Sequence, residues 1–142
     1  MTSKFAKGLA LATICTGCLI GSSGSAQTPQ PTPASCAYIQ QTSMQIFGEV
    51  ASLLNQGTPP DQVVSTILRE VYPNMDFPNN LNDAEMDNYP DNVKGLYFIV
   101  AWAFNIIEKN NARSQPFPMS DMTQVFGQSN YDRCMKELGY YK

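Results

Sequence analysis

The sequence predicts an all-α domain, a small bundle of four to five helices with one disulfide joining the first and last helices. Three observations carry that reading. Apolar residues recur at helical spacing in several separate stretches, each bounded by residues that start or stop helices. Cys36 and Cys134 stand at the two ends of that helical region. No internal repeat and no hairpin signal competes with it.

The N-terminus is set aside first. MTSKFAK carries Lys4 and Lys7, GLALATICTGCLIG is apolar or small, and SSGSA ends in small residues, so residues 1–26 read as a secretory signal peptide cut after Ala26. Thr16-Gly17-Cys18 offers a rival cut, the end of a lipobox with Cys18 as the acylated residue, although Cys15 stands where Leu is usual. The apolar run is too short and too rich in glycine for a spanning helix. Residues 27–35, QTPQPTPAS, read as a Pro-rich spacer. The remaining 36–142 form a single domain by this division.

Without the leader, seven basic residues face twelve acidic ones, a net charge of −5. Scattered bases on an acidic chain argue against nucleic acid and against an anionic membrane surface. An exported chain meets an oxidising compartment, so Cys36 and Cys134 are expected to pair. Closing a loop of that length is worth about 4–5 kcal/mol in the chain-entropy account.

The elements follow in order. From Cys36 to Gln56, Ile39, Ile46, Phe47, Val50, Leu53 and Leu54 share one arc, with Gln41, Gln45, Glu49, Ser52 and Gln56 on the other, and Gly57 is placed to stop the helix. Thr58-Pro59-Pro60-Asp61 then offers a cap, a first-turn proline and an acid for a second helix reaching Val71, with Val63, Val64, Ile67, Leu68 and Val71 inside. Residues 73–92 are rich in Pro, Asn and Asp and predict an irregular connection with one short turn at Asp83 to Asn88. A third helix is expected from Asp91 to Lys109, although the aromatic and β-branched run Tyr97 to Val100 locally favours a strand. Ser120 is placed to cap a short helix holding Met122, Val125 and Phe126. Asn130 begins a separate last helix with Cys134, Met135 and Leu138, ended by Gly139.

Chemistry is sparse. Histidine is absent, which removes the commonest general base and metal ligand and every Ser-His or Cys-His pair. With both cysteines crosslinked, no soft ligand set remains for zinc, and neither a metal nor a cofactor is expected. Asp83, Glu85, Asp87 and Asp91 fall at positions 1, 3, 5 and 9 of a calcium loop, but Asn88 replaces its glycine and Lys94 its bidentate glutamate, so solvated acids are the expectation. Glycine loops for phosphate are missing. Carboxylates such as Glu49, Glu70 and Glu108 keep open an alternative, a small carboxylate-dependent enzyme acting on cell-wall glycan. A carrier of apolar ligands is a second alternative.

The third helix is the most informative stretch. Val93, Leu96, Tyr97, Val100, Phe104 and Ile107 suffice for a core stripe, leaving Phe98 and Trp102 one turn apart on the other side with Lys94, Asn105 and Lys109. Either the 73–92 connection or the 111–119 loop covers them, or they are exposed as a contact for a protein partner. The leading expectation for function is therefore an exported, non-catalytic protein-binding module of the bacterial cell envelope, with Phe98 and Trp102 as the contact.

One local resemblance accompanies this reading. GTPPDQVVSTILREVYP, residues 57–73, resembles a helix segment of periplasmic immunity proteins that neutralise peptidoglycan amidases delivered by type VI secretion. Those proteins are small, helical, exported and disulfide-bonded, which implies the same plan here. The segment is about an eighth of the chain, and the cysteines do not lie beside it as they do in that family.

Overall fold

A computed structural model describes residues 32–141. The expected signal peptide, its cleavage site, Cys18 and residues 27–31 of the expected spacer lie outside the described residues. Four α-helices and two short 3-10 segments make up the regular structure, with no strand among the described residues.

Thr32 is extended (φ −117°, ψ 166°), its N–H donates to Ser35 Oγ at 3.2 Å, and Pro33 takes the first helical position, where an N–H has no partner to lose. Helix α1 therefore covers Pro33–Asn55 and begins inside the expected spacer. It buries Ile46, Phe47, Val50 and Leu53 and exposes Gln41 and Gln45, the amphipathic arc expected of it.

Gly57 ends α1 at φ +84°, a backbone conformation that side chains disfavour. Its N–H donates to Leu54 O (3.1 Å) and that of Thr58 to Leu53 O (3.0 Å), the paired bonds of a Schellman motif. Thr58 thus serves the end of α1 and does not cap the next helix. A 3-10 turn at Pro60–Gln62 intervenes before α2, Val63–Val71. Val63, Ile67 and Leu68 are buried as expected, while Val64 and Val71 are half-buried.

The connection to α3 is irregular yet anchored. Phe77 and Met86 are both buried, and the Phe77 ring stacks on Tyr89 with centroids 5.1 Å apart. The Arg69 guanidinium of α2 donates to Phe77 O and to Asn79 Oδ1, the latter at 2.7 Å. The 3-10 segment Asp83–Asn88 forms where the sequence predicts, started by Asn82 Oδ1 accepting the Ala84 N–H at 3.0 Å.

Helix α3, Asp91–Asn111, is continuous through Tyr97 to Val100, so burial of Tyr97 and Val100 along one helical stripe overrides their strand preference. Helix α4, Met119–Glu137, is also continuous. The two helices expected around Asn130 are one: the buried stripe runs unbroken from Phe126 through Asn130 to Cys134, and the Asn130 amide donates to Phe126 O at 2.9 Å within the helix. Ser120 is the second residue of α4 and not its cap, which is Pro118. Gly139 (φ +82°) ends α4 with a second Schellman pair, Gly139 N–H to Lys136 O and Tyr140 N–H to Met135 O.

Helix α1 packs along α4 and against α3, while α2 covers α3 and the end of α1. Cys36 and Cys134 are joined, with Sγ atoms 2.03 Å and Cα atoms 5.5 Å apart. Because Cys36 meets Cys134 and Phe47 meets Phe126, α1 and α4 run antiparallel. Their close approach needs Gly127: a Cβ there would meet the Met44 side chain, with Sδ at 2.8 Å, and Gln40 O at 3.3 Å.

Candidate functional site

An apolar groove opens between α3 and α4. Trp102 and Ile106 line it from α3, Met122, Val125 and Phe126 from α4, and Phe117 closes the end nearest the 112–118 loop, enclosing about 300 Å³. Asp121 and Ser129 complete the lining while adding almost no polar surface. Phe126 is the floor. Its ring lies 4.9 Å from Trp102 on one side and 5.0 Å from Phe47 on the other, so a row of three aromatics runs from the core to the surface.

The walls are open to solvent. Trp102 is 38% exposed, Phe117 57% and Val125 65%. Phe98, one turn before Trp102, is 52% exposed and rests edge-on against Tyr97 beyond the groove. Neither the 73–92 connection nor the 111–119 loop covers Phe98 and Trp102. The first turns its apolar side chains, Phe77 and Met86, into the core, and the second adds Phe117 to the groove wall instead of closing it.

Phe117 is exposed but held. Asn110, almost fully buried, donates from Nδ2 to Phe117 O (3.1 Å) and accepts the Phe117 N–H at Oδ1 (2.9 Å). Flanking Pro116 and Pro118 each fix one backbone torsion. The Arg113 guanidinium lies 4.7 Å from the ring centroid. The loop backbone is therefore ordered before any partner arrives, which lowers the entropy lost on binding.

A second depression of about 230 Å³ continues past Phe117, sharing Ile106 and Met122 and adding Lys109 and Arg113. At the other end the Arg133 guanidinium stands 5.8 Å from the Trp102 ring. The floor is apolar and both ends are cationic.

Sequence pattern alone does not mark Phe117 or Val125 as site residues. Val125 shares a predicted short helix with Met122 and Phe126, but α4 buries Phe126, Gly127, Asn130 and Cys134 and leaves Val125 outside that stripe. For Phe117 the available signal is an aromatic between two prolines, a backbone unusually restricted for a loop.

The acidic connection has structural work. Asp83 accepts the Tyr97 hydroxyl at 2.7 Å, Glu85 accepts the Asn82 N–H at 3.0 Å, and Asp87 and Asp91 lie 4.0 and 3.9 Å from the Lys94 ammonium. Burial, then the bond to Asp83, pushes the Tyr97 phenol well above its usual range. Of the three glutamates named for acid–base work, Glu49 has its carboxyl raised by burial and by the nearby Glu70, whereas Glu108 is exposed on α3. None of them lines the groove.

What these features define is a disulfide-closed all-α bundle with an aromatic groove. No protein-family model, curated protein or solved structure matches the chain. The resemblance of residues 57–73 accordingly brings no activity with it, and that segment, mostly α2, lines no part of the groove.

Proposed function

We propose that the protein is an exported, non-catalytic module of the bacterial cell envelope that binds another protein through the α3–α4 groove, with Trp102 and Phe98 among the contacts. One observation carries this reading: Trp102, Phe117 and Val125 are exposed together around a single apolar depression, with Phe117 held by Asn110. Soluble monomers seldom leave contiguous apolar patches without a use, and aromatic side chains dominate the centres of protein interfaces. The disulfide supports an oxidising compartment. No described helix is long and apolar enough to cross a membrane.

Alanine at Trp102 and at Phe98, each in the full chain, tests the reading. The expected result is a loss of partner capture from an envelope extract of about tenfold or more, with helix content retained. Unchanged capture by both folded variants contradicts it. The enclosed volume also favours a second reading, a carrier of a small apolar ligand, which predicts a bound molecule in native mass spectrometry.

A further inference from the structure

We infer that the groove selects one kind of protein segment, an amphipathic stretch whose apolar side chains are flanked by carboxylates. This rests on the protein-binding reading above and adds the partner's chemistry to it.

Charge favours such a segment. Eight of the chain's twelve acids fall between Glu49 and Asp91, where Arg69 is the sole base. Between Trp102 and Tyr141 four bases accompany four acids, so the acidic chain carries its bases disproportionately on the α3–α4 side. At the groove itself the balance turns positive. Lys109 and Arg113 line its extension past Phe117, Arg133 stands over Trp102, and Asp121 is the only acid in the lining. None of the three bases forms an ion pair among the described residues. A cation at each end of an apolar floor discriminates by the charge flanking an apolar stripe, attracting carboxylates and repelling bases.

Shape narrows the occupant further. The depression lies between two helices and encloses about 300 Å³, which fits one narrow element, as in recognition of a helix by a groove.

The test uses the disulfide-bonded chain and two synthetic peptides of about 16 residues. Both carry the same leucine stripe at helical spacing and no tryptophan, and they differ only in having glutamates or lysines beside it. Trp102, the only tryptophan, reports binding directly. The expected result is saturable, blue-shifting binding of the glutamate peptide, about tenfold tighter than the lysine peptide, with the preference shrinking in about 0.5 M salt. Arg113→Glu combined with Arg133→Glu, both exposed positions, should reverse the preference without changing helix content.

Equal binding of both peptides overturns the charge selection and leaves groove docking standing. Binding of neither overturns both. One-to-one binding of palmitate with no binding of either peptide assigns the groove to lipid and overturns the inference. Acrylamide quenching before any addition covers the remaining occupants. Protection of Trp102 that fades on dilution points to a second copy, and protection that persists points to the chain's own residues 1–31; either result overturns the inference.

Discussion

Gly48 and Gly127 are both helical glycines, yet their surroundings give them opposite predicted responses to alanine. Nothing lies within 4 Å of a Cβ built at Gly48, so Gly48→Ala should stabilise by about 0.5–1 kcal/mol through lost backbone entropy in the unfolded chain. At Gly127 the same change forces the Met44 side chain aside and presses on Gln40 O, which belongs to the α1 backbone. Gly127→Ala should therefore lose about 1–2 kcal/mol, read as a lower urea midpoint. Glu49 gives a pH-dependent prediction. Its raised carboxyl pKa means that the folded state holds a proton more tightly than the unfolded chain, so this contribution is full below about pH 4.5 and is lost as pH rises through the folded value. Glu49→Gln should raise the urea midpoint at pH 7 and leave it nearly unchanged at pH 3.5. A glycoside-hydrolysing role for Glu49 predicts instead that the same variant loses turnover of cell-wall glycan. Residue-level burial was only partly legible beforehand: Val93, Leu96, Tyr97, Val100 and Ile107 follow from periodicity. Phe77 and Met86, isolated among Pro, Asn and Asp, had no periodic neighbours to betray them.

At the scale of elements, stops were easier to read than starts. Gly57 and Gly139 each end a helix because only a residue tolerant of positive φ completes the Schellman pair there, and that requirement is local. Starts depend on competition between neighbours. Thr32-Pro33 and Thr58-Pro59 are the same dipeptide; the first opens α1, whereas Thr58 N–H is taken by Leu53 O at the end of α1. The continuity of α4 was likewise hidden, because Asn130 is a poor helix former on its own, and only the structure shows its amide donating to Phe126 O one turn back. The 112–118 loop owes its order to Asn110, whose side chain answers both backbone groups of Phe117. Asn110→Ala should cost about 1–2 kcal/mol and raise amide exchange across residues 112–118 specifically. Partner capture should weaken as well, since Phe117 would no longer be presented on a fixed backbone. Exchange unchanged in that loop would show that the prolines alone suffice.

For the whole molecule, the bundle divides into a large core shared by all four helices and a small cluster of Cys36, Cys134 and Met135 at the far end of α1 and α4. The disulfide closes 98 residues, and with so few apolar side chains around it the crosslink is the main fixture of that end. The paired variant Cys36→Ser with Cys134→Ser should lose about 4–5 kcal/mol, lowering Tm by about 20 °C. Fold class and crosslink were legible because amphipathic periodicity and two cysteines behind an expected signal peptide leave few alternatives. The groove was not, apart from Trp102 and Phe98. It arises where two helices and a loop from separate stretches converge, and periodicity within one helix cannot show what its neighbour leaves uncovered. The proposed working face of the protein is this uncovered groove. It is tested most directly by placing a photoreactive side chain at Val125, exposed on the groove wall, or at Gln45, exposed on α1, and irradiating intact cell envelopes. A discrete crosslinked adduct from position 125 and none from position 45 is the predicted result; an adduct from position 45 with none from position 125 would contradict it.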